Sequence, residues 1–246
     1  MGNYAKHAPI WDWSGYDRTN EFEFWYKLAK SYGESALSVM SAIGETGAYL
    51  AERGLRVTAL DYTEEMIKEG KKRYSSLQNL TFIQADARNY ELACTYDFAF
   101  IGSTDLHHML NEQDVKKVLT TIKKHLRDGG GLGLELWYAS ARSWQSKKNK
   151  FEPLKQKENQ KVWKEGSTSY NAESKRVKIS QEVYVQKNDT TEQFTHEFEM
   201  QLYSKEHMLQ MLNACGFELV AEYGSYNFDP FNENSKQWLI ELKVKQ

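Results

Sequence analysis

Two stretches bring together side chains whose types and spacing could do chemistry. In the first, the apolar run Arg56 to Leu60 ends on Asp61, and Tyr62 and Met66 follow. A carboxylate at a strand end can accept two vicinal hydroxyls, as on a ribose, while a ring and a thioether could flank a flat base. One strand later, Gln84-Ala85-Asp86-Ala87 offers the Asp86 carboxylate and the Ala87 backbone to the edge of that base. In the second stretch, Gly102-Ser103-Thr104-Asp105-Leu106-His107-His108-Met109 follows the run Tyr96 to Ile101. An imidazole there could take a proton near neutral pH, which makes His107 and His108 candidate catalytic bases.

The elements that must hold these groups can be read from periodicity. Ala36 to Met40 is a buried strand, a tight loop ends at Gly44, a helix carries Leu50 and Ala51, and Gly54 turns the chain into the strand that stops at Asp61. That is a βαβ unit, with parallel strands and a helix covering one face. A helix to about Tyr74 follows, then strands at Leu80 to Gln84 and Tyr96 to Ile101. An amphipathic helix over Asn111 to Arg127 is ended by Asp128-Gly129-Gly130-Gly131, and Leu132 to Trp137 is a fifth strand. Such alternation predicts an α/β fold with a doubly wound, mostly parallel sheet. Beyond Tyr138 the pattern changes. Residues 140 to 160 read as a polar mobile loop, and period-two stretches near Val162, over Val177 to Val185 and over Phe194 to Leu202 predict an inserted antiparallel β meander. Its apolar face must cover a pocket or a partner subunit, and His196 on that face reads as a core histidine. A helix capped by Ser204 and two strands, Glu218 to Tyr223 and Gln237 to Val244, complete the chain.

With Asp61-Tyr62-Thr63-Glu64-Glu65-Met66 and Gln84-Ala85-Asp86-Ala87-Arg88, residues 36 to 61 resemble the class I S-adenosylmethionine-dependent methyltransferases. The resemblance implies a Rossmann-like seven-stranded sheet and transfer of a methyl group from S-adenosylmethionine to nitrogen or oxygen of a small-molecule acceptor. Asp61 would hold the ribose, Tyr62, Met66, Asp86 and Ala87 the adenine. Gly44 and the backbone from Met40 to Ala42 would lie under the methionine arm, with the carbonyl of Ile101 or Gly102 on its ammonium. Tyr16 would contact the cofactor from an N-terminal aromatic lid, and Trp137, Tyr138 and Arg142 would wall the acceptor pocket. The family's L-E-L-x-C-G-T-G loop falls on Leu37-Ser38-Val39-Met40-Ser41-Ala42-Ile43-Gly44, where only the last glycine is kept. Ser38 cannot supply the family's negative charge, and loss of one charge-assisted hydrogen bond of about 1.5–3 kcal/mol would weaken donor affinity by one to two orders of magnitude. The alternative is a ligand-binding or non-methylating protein on the same scaffold.

Composition bounds the remaining choices. A chain of 246 residues accommodates one α/β domain with an appendage, divided as an aromatic lid over 1–35, the sheet domain over 36–138 and 203–246, and the meander over 139–202. The net charge of −2, with acids and bases intermixed, speaks against a nucleic-acid partner. Two distant cysteines, Cys94 and Cys215, fit a reducing compartment and no metal site. The absence of a long apolar segment predicts a cytoplasmic protein without a membrane partner, and a homodimer is compatible with the meander's apolar face. A nicotinamide enzyme is disfavoured because G-x-G-x-x-G is absent.

Overall fold

Short apolar runs that are dry on both faces belong in the middle of a parallel sheet. The computed structural model describes residues 4–14, 17–138, 147–157, 160–235 and 237–245, with side chains for all of these except 12–14 and 147–157. The first strand, β1 (Ser35–Val39), is buried at all five positions. It pairs in parallel with β2 (Arg56–Asp61) on one side and with β4 (Tyr96–Ile101) on the other. Outward from β2 lies β3 (Leu80–Gln84). Outward from β4 lie β5 (Leu126–Leu136), β11 (Trp238–Val244) and β10 (Phe217–Tyr223). The seven-stranded order is therefore β10-β11-β5-β4-β1-β2-β3, and β11 alone runs antiparallel to its neighbours. Chain order reverses between β1 and β4, so a crevice opens at the carboxyl ends of these two strands. Helices α1 (Thr19–Tyr32), α2 (Glu45–Glu52), α3 (Glu64–Arg73), α4 (Glu112–Lys124) and α5 (Lys205–Ala214) cover the two faces.

The fold class read from the sequence holds, and three details change. The amphipathic helix α4 stops at Lys124, and the glycine run it was expected to end on lies inside β5. Packing against α1 explains why: a Cβ at Gly131 would come within 2.6 Å of the Tyr32 ring and one at Gly133 within 2.5 Å of Trp25. These glycines let a helix lie close on a strand; they do not break one. Second, the meander has four strands. The segment read as a loop forms β6 (Lys147–Lys157), which pairs antiparallel with β7 (Gln160–Asn171), followed by β8 (Arg176–Lys187) and β9 (Thr190–Gln201). Polar composition hid it, because a lysine-rich run resembles a loop.

Third, the N-terminal aromatic region divides. Phe24, Trp25, Leu28 and Ala29 place α1 in the core of the large sheet. Only a 3-10 helix over Ala5–Ser14 lies across the crevice. It is wedged between α3, where Arg73 Nη2 donates to the Pro9 carbonyl at 3.1 Å, and the dry face of the meander. That face, carrying Val162, Val183 and Val185, packs on Ile10, and His196 contacts the rings of Tyr4 and His7 at 4.6 and 4.3 Å. The meander's apolar side thus covers this chain's own N-terminal segment. No helix among the described residues is long and apolar enough to cross a membrane.

Candidate functional site

The loop after β1 keeps a glycine-like backbone with Gly44 as its one glycine. Met40 (φ 58°), Ala42 (φ 48°) and Gly44 (φ 77°) all adopt the left-handed region, which costs a side-chain-bearing residue about 1–2 kcal/mol. Asp61 holds the loop in this shape. Its Oδ2 accepts from the Ala42 N–H and its Oδ1 from the Thr63 N–H, both at 2.8 Å, so one carboxylate ties the loops after β1 and β2 together. Thr63 occupies the N-cap position of α3, but its hydroxyl makes no cap bond. Gly44 is fixed by packing, since a Cβ there would lie 2.5 Å from Phe82. Burial raises the Asp61 pKa, opposed by these backbone donors. Each carboxylate oxygen keeps lone-pair capacity beyond those bonds.

Above Asp61 opens a cavity of about 610 Å³, within the range of small-ligand sites. Tyr62, Met66 and Gln84 form one wall, Met40 and Ala42 the floor, and Asp105 and His108 the far side. Tyr4 and Trp11 of the N-terminal segment close it from above. Between Ser38 and Ser103 the space narrows to a waist of about 30 Å³, bounded also by Met40, Trp11 and Arg18. Arg18 is fixed there by Glu21 at 2.5 Å, Glu45 at 2.9 Å and the Ser103 hydroxyl at 3.3 Å. Carboxylates outnumber cations around it. Burial, then Asp61 and Glu135, push the Asp105 pKa well up, and burial with Glu21 pushes Glu135 to about 7. The site is therefore short of positive charge, and a cationic ligand would relieve it.

The sequence-predicted residues separate accordingly. Met40, Ala42, Asp61, Tyr62, Met66 and His108 line the large cavity, and Gly102 lines the waist. Gly44 and Ile101 support the two loops from below, Ile101 within the core. His107 does not reach the cavity. It is buried, its Nδ1 donates to the Gln201 carbonyl at 2.6 Å, and its Nε2 accepts from the Trp137 N–H at 2.9 Å, so both nitrogens hold backbone and the catalytic assignment is withdrawn. His108 has its Nε2 2.9 Å from the Tyr4 hydroxyl, and burial depresses its pKa to about 4. Asp86 turns away to Arg88, which Asp114 also binds, and neither it nor buried Ala87 lines the cavity. Gln84 takes that wall instead. Trp137 stacks on His107 and Tyr138 packs on Phe231, so both serve as anchors. Tyr16 and Arg142 lie outside the described residues. Sequence reasoning missed Tyr4, Trp11, Arg18, Glu21 and Asp105. Only Asp105, beside the paired histidines in a post-strand loop, carried a usable signal.

Residues 36–130 match the family model of the methyltransferase domain, over the stretch from β1 into β5 that builds the crevice. This stretch is similar to a methyltransferase domain. A demethylmenaquinone methyltransferase of Clavibacter sepedonicus is 28% identical over 128 residues, which span 48% of this chain and 51% of that protein. The chain thus matches about half the length of this curated relative. An S-adenosylmethionine-dependent methyltransferase from Clostridium acetobutylicum shares the fold at a TM-score of 0.84, with 15% identity and 99% of each chain covered. An amino pentose methyltransferase from Micromonospora echinaspora, solved with S-adenosylmethionine bound, shares it at 0.76, with 15% identity, 98% of this chain and 97% of that one. The likeness extends across the meander as well as the stretch from β1 into β5.

The amino pentose methyltransferase holds S-adenosylmethionine, and the residues at the mouth of this chain's large sheet fit the nucleoside end of that cofactor. Asp61 has acceptor capacity left for two hydroxyls, and Met40, Met66 and Tyr62 provide soft, flat-sided walls. The carboxylates of Asp61, Asp105 and Glu21 along the cavity and its waist suit a sulfonium and an ammonium. Among the described residues no group of three or more His, Cys, Asp or Glu side chains could hold a metal ion.

Proposed function

We propose that the protein transfers a methyl group from S-adenosylmethionine to nitrogen or oxygen of a small molecule. The observation that carries this reading is Asp61, a buried carboxylate at the end of β2 that faces a cavity of about 610 Å³ and retains lone pairs after fixing two loops. When bound, the cofactor supplies a methyl group on a positively charged, already activated leaving group. The protein then has to orient, desolvate and neutralise. Asp61 holds the ribose hydroxyls, while Met40, Met66 and Tyr62 enclose the base and Gln84 addresses its edge. Asp105 and Glu21 take over the countercharge that Ser38 cannot give. Trp11 and Tyr4 exclude water. His108 already receives the Tyr4 hydroxyl, so Asp105, 3.9 Å from that imidazole and with a raised pKa, is the better acceptor for the proton leaving the substrate.

Calorimetric titration with S-adenosylmethionine and S-adenosylhomocysteine tests the reading. Wild type should bind both, and Asp61→Ala should lose about tenfold or more in affinity, the loss of charge-assisted hydrogen bonds. Unchanged affinity in the variant would remove Asp61 from the site. One observation favours the second reading, a binding protein on this scaffold: the waist of about 30 Å³ leaves no room for a methionine arm while Met40, Trp11 and Arg18 stay where they are. An absence of heat at millimolar ligand would decide for it.

A further inference from the structure

The dry face of the meander carries a cation at Lys164. Side chains two apart on a strand share a face, so Lys164 of β7 lies on the side of buried Val162, and it stands opposite fully buried Val183 of β8. Lys164 is half-buried on this face. It forms part of the wall of a second cavity, about 580 Å³, enclosed by His7, Ile10, Trp11, Arg18, Glu21 and Tyr226. Among the described residues this half-buried ammonium has no ion pair, so a group of opposite charge in the cavity would stabilise it.

Two acids, Asp17 and Glu21, line this cavity together with Arg18. Arg18 is bound by Glu21 and Glu45, and Asp17 accepts from the Thr19 N–H at 2.9 Å. His7 is held neutral, its pKa lowered to about 3 by burial and by Lys164 and His196. Burial alone acts on Lys164 and lowers its pKa, with no carboxylate of the described residues to offset it. The cavity also adjoins the donor side. Trp11 belongs to the walls of the large cavity, the waist and this second chamber, and Arg18 and Glu21 are common to the waist and the second chamber.

We propose that the second cavity is the methyl-acceptor site and that Lys164 receives an acidic group, carboxylate or phosphate, of the acceptor. The acceptor is then a small molecule that carries its amine or hydroxyl at one end and an anion at the other. Lys164 anchors the anionic end, and the nucleophilic end points past Trp11 toward the waist. The identification as an acceptor site rests on the proposed methyl transfer. The anion site itself does not.

Tryptophan fluorescence reads the test, because Trp11 lines the cavity. Wild type, Lys164→Met and Lys164→Arg are titrated with inorganic phosphate, with phenylacetate and with its neutral counterpart phenylacetamide, and S-adenosylhomocysteine is titrated calorimetrically into each. At least one anion should bind wild type about tenfold or more tighter than the amide. That preference should vanish in Lys164→Met and persist in Lys164→Arg, with S-adenosylhomocysteine affinity unchanged throughout. The better-binding anion identifies the acidic group. Equal binding of acid and amide, anion binding that survives Lys164→Met, or no binding of either anion to wild type at millimolar concentration would overturn the proposal. Circular dichroism and a melting curve establish that Lys164→Met is folded; removal of an unpaired half-buried charge should leave its melting temperature equal or higher. If wild type binds an anion through Lys164 but gives no heat with S-adenosylhomocysteine, the methyl-transfer reading fails and the anion site stands.

Discussion

At the scale of single residues, the loop after β1 shows how a glycine motif can lose a glycine and keep its shape. Met40 and Ala42 pay the left-handed strain because Asp61 and the Ser41 N–H to Leu60 carbonyl bond at 2.9 Å fix the backbone around them. Restoring glycine should therefore relieve strain and open the waist at once. Ala42→Gly should bind S-adenosylmethionine several-fold tighter than wild type in a calorimetric titration, and equal or weaker binding would show that the Ala42 methyl and its strained backbone do not obstruct the donor. Asp61, Tyr62 and Met66 were legible in the sequence because a strand end and a following helix fix their direction. Asp105 was half legible. Arg18, Glu21 and Trp11 were not, since they reach the crevice from an N-terminal segment whose path over the sheet no local pattern encodes.

At the scale of elements, the alternation of strand and helix was readable because buried parallel strands leave unbroken apolar runs. The fourth meander strand and the early start of β5 were not, because one is polar and the other is glycine-rich to admit Tyr32 and Trp25. The 3-10 helix over Ala5–Ser14 is held by Arg73, by ring contacts and by Ala8 against Ile43 and Met66. It has few backbone hydrogen bonds to the rest of the fold, which is the profile of a segment that opens below the global unfolding energy. Limited trypsin digestion should cut first at Lys6, which is exposed, and S-adenosylhomocysteine should slow that cut several-fold relative to cuts elsewhere. Equal protection at all sites would mean that the segment does not open to admit ligand.

At the scale of the whole molecule, buried histidines and buried carboxyls give the fold opposing pH dependences. His7 and His108 have pKa values lowered from 6.5 to about 3 and about 4, so the unfolded chain takes up their protons first. Their contribution is complete above about pH 6.5 and is lost as the pH falls toward 4 and 3. Glu135, raised from 4.5 to about 7, acts the other way: its contribution is complete below about pH 4.5 and is lost as the pH rises through about 7. A difference measurement separates them. His7→Phe should fill the same aromatic cluster beside Phe194 and His196 while removing the titration. In urea unfolding, wild type should lose about 2 kcal/mol more than this variant between about pH 6.5 and 4.5. Parallel losses in the two proteins would show that His7 is not held neutral in the fold.

Trp11 borders every chamber of the crevice, and this has a kinetic meaning. If the protein transfers a methyl group as proposed, a wall shared by donor and acceptor takes its final place only once the deeper of the two has entered, so the donor enters first, its demethylated remnant leaves last, and the remnant competes against the donor alone.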